Sequence, residues 1–298
     1  MSENAGVVRD FRNYLAANVV TALVALIAIP VYSRLLDPSD YGVLSVFNSA
    51  VTLLVAVLPL GTHSAIGRYY YEGKSDYPEL IGTTVILSVS AFAIMSLLLI
   101  PWWLDLADLV SAPASIIPLV LGVSALRIIQ SFHNQLFTAR KASLQVAVSN
   151  LLRVISEFGV AILLLLLLHE SLYLGPIGGQ LVAAAALAGF CIWKLAPHTK
   201  LRFRSKHARY VLAFGAPLIV YQLGGIILGA ADRFMIAAML GTAETGVYAL
   251  SYNLGMTVSL VFVAISQAWV PYYYALMREE RYEEHDRQLE LVIRVICV

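Results

Sequence analysis

Along this chain apolar residues gather into long uninterrupted runs, separated by short connections that hold most of the charge. A helix needs about 20 apolar residues to cross a bilayer. Runs of that kind predict spans near 14–34, 43–61, 81–103, 115–137, 145–168, 173–194, 211–234 and 246–270, with a ninth beginning near 289. The connections expected on one side, about 103–114, 169–172 and 238–245, are too short to form a soluble catalytic domain. Residues 1–12 carry charge but no short apolar core with a cleavage site, so the first run is expected to be a permanent helix rather than a signal peptide.

Composition agrees. Hydrophobic residues make up 59% of the 298 positions and charged residues 13%, whereas a soluble domain carries about a quarter charged. The expected fold class is an all-α polytopic membrane protein. The 20 Lys and Arg nearly balance 19 Asp and Glu, which argues against a nucleic-acid partner. Cys191 and Cys297 both lie in apolar stretches, indicating neither a disulfide framework nor a metal cluster. No Walker A loop is present and no cofactor is expected.

The basic residues fall almost entirely on one side. Lys194, Lys200, Arg202, Arg204, Lys206 and Arg209 lie between spans six and seven, Arg140 and Lys141 between four and five, and Arg68 and Lys74 between two and three. Arg9 and Arg12 precede span one, and Arg278, Arg281 and Arg287 follow span eight; the other side holds Arg34 and Arg233. By the positive-inside rule the N-terminus is expected in the cytoplasm.

An internal repeat organises the spans. Leu36-x-x-x-Asp40-x-Gly42-Val43 joins spans one and two, and Leu240-x-x-x-Glu244-x-Gly246-Val247 joins spans seven and eight, 204 residues later. The triplets Tyr69–Tyr71 and Tyr272–Tyr274 follow at an offset of 203. Six spans separate the copies, so both halves enter the membrane in the same direction, as in transporters built from parallel repeats. The expected division is a six-helix lobe over 1–204 and the first part of a second lobe over 205–298, which on this reading is truncated.

Polar residues inside spans are costly and tend to face a bundle interior or a wet cavity. Arg127, Ser131, Asn134 and Thr138 fall on one face of span four; Asn150, Arg153 and Glu157 share a face of span five, with Arg153 and Glu157 spaced to pair. Span two offers Asn48 and Thr52, span seven Tyr221 and Asp232, and span eight Tyr248, Tyr252, Ser259 and Ser266. Spans three and six show no ionisable stripe. Ser131, Ser259 and Thr52 read first as helix–helix glue, and His133 as packed rather than metal-binding. Arg127 is expected a turn or two inside the cytoplasmic boundary. Pro30, Pro59, Pro118, Pro176 and Pro217 are expected to interrupt the spans, with Gly224, Gly225 and Gly229 marking a hinge in span seven.

Pro30-x-x-x-Arg34-Leu-Leu-x-Pro38-x-Asp40-Tyr41-Gly42-Val43 and Asp232-Arg233-Phe-Met-Ile-x-x-x-Leu240-Gly241-x-x-x-x-Gly246-x-Tyr248 resemble the Wzx-type polysaccharide-transporter flippases. That family belongs to the MOP superfamily, with the multidrug (MATE) extruders and the lipid II flippase. The resemblance implies a MATE-like bundle of two parallel-repeat lobes, here eight spans and the start of a ninth. It also implies a bacterial inner-membrane protein that moves an undecaprenyl-diphosphate-linked oligosaccharide, such as an O-antigen, lipopolysaccharide or capsule repeat unit, by alternating access. Arg127 and Arg153 become candidates for holding the diphosphate, with Arg34 and Arg68 near the two mouths, because arginine binds phosphate bidentately. Gln130, Asn134, Tyr221 and Tyr252 suit the sugar, and Glu157 and Asp232 are candidates for coupling or gating. Candidate partners extend from membrane lipids to polysaccharide polymerases and glycosyltransferases. Two other functions compete: a cation-coupled multidrug exporter, which wants acidic cavity residues, and a membrane glycosyltransferase or polymerase, for which Asp105 and Asp108 lie on too short a connection.

Overall fold

The computed structural model describes residues 2–59 and 61–256, and among these there is no strand. Two compact units are present, Met1–Leu250 and Ser251–Val298. The described part of the second, 251–256, is helical. The first unit contains α1 (Ser2–Leu35), α2 (Pro38–Val57), α3 (Thr62–Tyr71), α4 (Tyr77–Leu99), α5 (Trp103–Leu109), α6 (Ile116–Ala139), α7 (Ser143–Leu167), α8 (Leu174–Leu195) and α9 (Ser205–Leu240). A further helix, α10, begins at 242. Seven stretches among the described residues are long and apolar enough to span a membrane, and they match the first seven expected spans. Large side chains such as Leu97, Leu166 and Leu228 are exposed along them, as lipid-facing surface requires. Most of the eighth span, the ninth helix, Tyr272–Tyr274, Ser259, Ser266, Arg278, Arg281, Arg287 and Cys297 lie outside the described residues.

The helix ends follow local chemistry. Asp37 caps α2 by accepting from the Asp40 N–H at 2.7 Å, and Pro38 occupies the first turn, where its missing N–H costs nothing. Gly241, at φ 101°, ends α9, and its N–H returns to the carbonyls of Ile236 and Ala237. Four details depart from expectation. Span two stops at Val57, and the tyrosine triplet sits on a separate helix, α3, entered through Gly61 in the left-handed region at φ 61°. A Cβ there would also meet the Gly215 carbonyl oxygen at 2.6 Å, so glycine is needed twice over. The expected connection 103–114 contains α5. Pro30 and Pro217 lie within unbroken α1 and α9, because neighbouring groups in a bundle tolerate the lost bond. Pro118 and Pro176 sit in the first turns of α6 and α8, where no intrahelical N–H bond is lost.

Two apolar clusters hold the unit together. One joins Tyr41, Phe47 and Val51 of α2 to Ile116 and Val123 of α6 and Ile177 of α8. The other joins Ile66 and Tyr69 of α3 to Leu80 of α4, Phe132 and Leu136 of α6 and Val211 of α9. The most extensive helix pair is α7 with α8, where Gly179 lies so close that a Cβ would stand 2.6 Å from the Glu157 carbonyl oxygen. Residues 199–204 are not a free basic loop. The Lys200 N–H donates to the Pro78 carbonyl at 2.9 Å, the Thr83 hydroxyl donates to the Arg202 carbonyl at 3.0 Å, and Glu79 pairs with both Arg202 and Arg204.

Candidate functional site

Polar side chains from four helices join at mid-depth in the bundle. Arg127 lies 11 residues from Ile116 and 12 from Ala139, the two ends of α6, or about 17 Å from either at 1.5 Å per residue. This corrects the expectation that it sits near the cytoplasmic boundary: an arginine at the helix centre cannot easily snorkel to water. Its Nη2 donates to Glu157 Oε1 of α7 at 2.9 Å and to Gln180 Oε1 of α8 at 2.8 Å. Gln180 Nε2 in turn donates to Asn48 Oδ1 of α2 at 2.9 Å. Arg153, one turn before Glu157 on α7, reaches Glu157 Oε2 at 3.4 Å. Two guanidinium groups thus share one carboxylate, leaving a formal charge of +1.

The group opens on one side. Arg127 lines a cavity of about 320 Å³ together with Thr52 of α2, Ser131 of α6 and Gln222 and Ile226 of α9. Its Nε is buried with no hydrogen-bond partner among the described residues. Along α6 it falls between the residues of the two apolar clusters, which end at Val123 and begin at Ile128. Burying an ion is tolerable only when it is paired and hydrogen-bonded. Glu157 and Gln180 meet that requirement for Nη2, while Nε and the cavity leave capacity for an anion.

Other expected site residues divide into separate places. Gln130 and Asn134 bond across to α7: Gln130 Nε2 lies 3.4 Å from Asn150 Oδ1, and Asn134 Nδ2 lies 3.0 Å from the same oxygen. Ser149 donates to Asn134 Oδ1 at 2.8 Å, which His133 Nδ1 also faces at 3.2 Å. His133 is fully buried and packs on Phe137 and Phe190, as expected of a packed histidine. Arg34 is exposed in the last turn of α1. Arg68 on α3 pairs with Glu72 at 3.9 Å and stands 5.0 Å over the Phe214 ring. Tyr221 faces outward from α9, 80% exposed. Asp232, near the far end of α9, accepts from the Tyr248 hydroxyl and from the Arg233 N–H. Tyr252 belongs to the second unit.

Sequence reasoning overlooked Gln180 because span six has no ionisable stripe. A glutamine six residues into an otherwise apolar helix was the available signal. Among the described residues no group of His, Cys, Asp and Glu is placed to hold a metal.

Residues 7–277 match the model of a family described as polysaccharide biosynthesis protein. A Haemophilus influenzae protein of the Lsg locus is 25% identical over 92% of this chain and 68% of its own length. An uncharacterized membrane protein of the same organism is 24% identical, over 91% of this chain and 66% of its own length. The chain therefore spans about two thirds of these relatives. A MATE multidrug transporter solved in complex with R6G superposes with a TM-score of 0.63 at 15% identity, over 88% of this chain and 64% of that one. A MOP-superfamily transporter from Pyrococcus furiosus gives 0.59 at 17% identity, over 92% and 70%. At such identities the likeness is one of fold.

Proposed function

Because the chain belongs to the polysaccharide biosynthesis protein family of membrane transporters and has the fold of the MOP superfamily, we propose that it serves to flip a lipid-linked oligosaccharide across a bacterial inner membrane. The observation that carries this reading is the net-positive Arg127–Glu157–Arg153 group at mid-depth, with Arg127 on a cavity between α2, α6 and α9. A polyprenyl diphosphate is a strong anion. Guanidinium groups already ordered by Glu157 and Gln180 bind it without first having to be fixed in place.

In this reading the diphosphate meets Arg127 and Arg153 and displaces part of their bonding to Glu157, which becomes free to take a proton. The prenyl tail stays in lipid, and the lobes, divided near 204, rock to open the cavity to each face in turn. Arg34 and Asp232 lie toward one mouth and Arg68 toward the other, with the N-terminus in the cytoplasm as the distribution of Lys and Arg supports. The sugar, whether an O-antigen, capsule or other repeat unit, would meet polar groups such as Thr52, Ser131 and Gln222. Polymerases and glycosyltransferases would be its functional neighbours.

Drug export is the second reading, favoured by the fold shared with a multidrug transporter. The charged residue lining the cavity, Arg127, is positive, which opposes a cationic drug. The two separate in proteoliposomes: the full-length protein flips a polyprenyl-diphosphate oligosaccharide and leaves a cationic dye in place. Dye transport without lipid flipping would overturn the proposal.

A further inference from the structure

A second cationic pocket lies away from the central group, where α3 meets the start of α9. A cavity of about 560 Å³ there is lined by Tyr69, Lys74, Lys206, His207, Arg209 and Tyr210, among others, with no carboxylate in its wall. That volume lies in the range of small-molecule sites, about 300–1,000 Å³. Lys74 is held over the Tyr69 ring at 4.7 Å and paired with one oxygen of Glu72, whose other oxygen accepts from the Tyr210 hydroxyl at 2.7 Å. Lys206 extends outward, 77% exposed, with Asp76 no nearer than 3.9 Å. Arg209 is exposed and makes no ion pair among the described residues.

Two further features mark the pocket as built for an anion. α9 starts here without a side-chain cap, so its first N–H groups, at Ser205, Lys206 and His207, have no partner within the helix and carry the positive end of its dipole. The His207 side chain is only 1% exposed, and its Nδ1 has no hydrogen-bond partner among the described residues, while Nε2 faces Asp76 at 3.4 Å. A buried imidazole left without a hydrogen bond costs stability; this one lines a pocket with three cations, where a ligand can supply the missing partner.

We propose that this pocket binds the phosphate groups of a lipid headgroup. Phosphate chemistry fits the converging cations and open N–H groups. A lipid fits the location, at the ends of membrane-spanning helices and flanked by Tyr69 and Tyr210, whose rings suit the interface. Polyprenyl diphosphate and anionic phospholipid share the needed chemistry. The site does not depend on the role of the central group.

The test uses the full chain in nanodiscs of phosphatidylcholine, titrated with polyprenyl diphosphate in one arm and phosphatidylglycerol in the other. The Lys206→Gln/Arg209→Gln variant removes two exposed cations and leaves the core intact. It should bind whichever lipid the wild type binds roughly tenfold or more weakly, as loss of charge-assisted hydrogen bonds implies. Saturation by the diphosphate alone identifies substrate, and saturation by both identifies a general headgroup site. Lys141→Gln/Lys200→Gln, exposed cations outside the pocket, should leave this binding unchanged, and the diphosphate arm is compared in an Arg127→Gln background so that the central group adds nothing to it. Equal binding by wild type and the pocket variant, or an equal loss in the Lys141→Gln/Lys200→Gln control, overturns the proposal.

Discussion

Gly42 and Gly246, equivalent positions of the internal repeat, pack against each other's helix reciprocally. A Cβ on Gly42 would lie 1.8 Å from the Thr242 carbonyl oxygen and 3.0 Å from Gly246 N; one on Gly246 would lie 1.8 Å from the Pro38 carbonyl oxygen and 2.9 Å from Gly42 N. Pro38 and Thr242 are themselves 204 residues apart, so the contact has the local two-fold character that parallel repeats generate. Each glycine admits the other helix's backbone, and neither obstructing atom belongs to a flexible side chain.

Substituting either glycine by alanine should therefore force α2 and α10 apart. The expected cost is about 1–3 kcal/mol, in the range of overpacking, read as a lower thermal midpoint in detergent. The double substitution should cost less than the sum, since one separation accommodates both methyl groups. Gly159→Ala, at a helical position with nothing within 4 Å, should be neutral or mildly stabilising.

Beside the glycines, Ser39 Oγ and Thr242 Oγ1 stand 2.9 Å apart. Cysteines at these two positions are expected to cross-link under mild oxidant, being close enough for disulfide geometry. If the contact closes one mouth of the transport path, oxidation should stop transport and reduction restore it; full activity of the cross-linked protein would show that this junction stays closed throughout the cycle.

Glu157 is the single carboxylate between two arginines, with side-chain exposure of 15% against 20% for Arg127 and 28% for Arg153. Glu157→Gln should destabilise the fold by about 1–3 kcal/mol, the penalty for an unpaired buried charge reduced for partial exposure. Adding Arg127→Gln should recover part of that loss, a coupling measurable in a double-mutant cycle.

Outside the spans, Asp76 accepts from the Tyr69 hydroxyl at 2.7 Å. That bond, and next the nearby charges of His207 and Lys206, hold its carboxyl below the usual range despite desolvation, and the Tyr69 hydroxyl is correspondingly pushed up, first by burial and then by Asp76. A depressed carboxylate contributes stability above its unfolded pKa, about 3.9, and loses it as pH falls through the folded value. Tyr69→Phe should lower the neutral plateau of a melting-temperature profile and shrink the acid limb, so that variant and wild type converge as pH falls through the folded value. An unchanged acid limb would show that Asp76 is not responsible.

Much of this arrangement was legible in the residue order. Periodicity alone put Arg127, Ser131 and Asn134 on one face and Arg153 with Glu157 one turn apart, because helical spacing depends only on the backbone. The repeat was visible as text, and the two copies of its first motif turn out to meet at the very glycines that define it. Bonds between helices were another matter. Arg127 finds Gln180 and Asn48 only through the packing of α6, α8 and α2, which no local pattern encodes. Gln130 and Asn134 read equally well as cavity-lining or as cross-helix donors, and their bonds to Asn150 depend on the rotation of α7. The seating of 199–204 on α4 was hidden for a simpler reason: a run of Lys and Arg looks the same whether it is free or tied down by Glu79 and Thr83.

The central claim is that the Arg127 guanidinium holds the substrate's diphosphate at mid-membrane. It is tested most directly by flipping of a polyprenyl-diphosphate oligosaccharide in proteoliposomes, comparing wild-type full-length protein with Arg127→Lys and Arg127→Gln at matched folded amounts. Loss of a charge-assisted, bidentate contact predicts a fall of roughly ten- to a hundredfold for Arg127→Gln, with Arg127→Lys in between because it keeps the charge but not the fork. Wild-type flipping by Arg127→Gln would contradict the account.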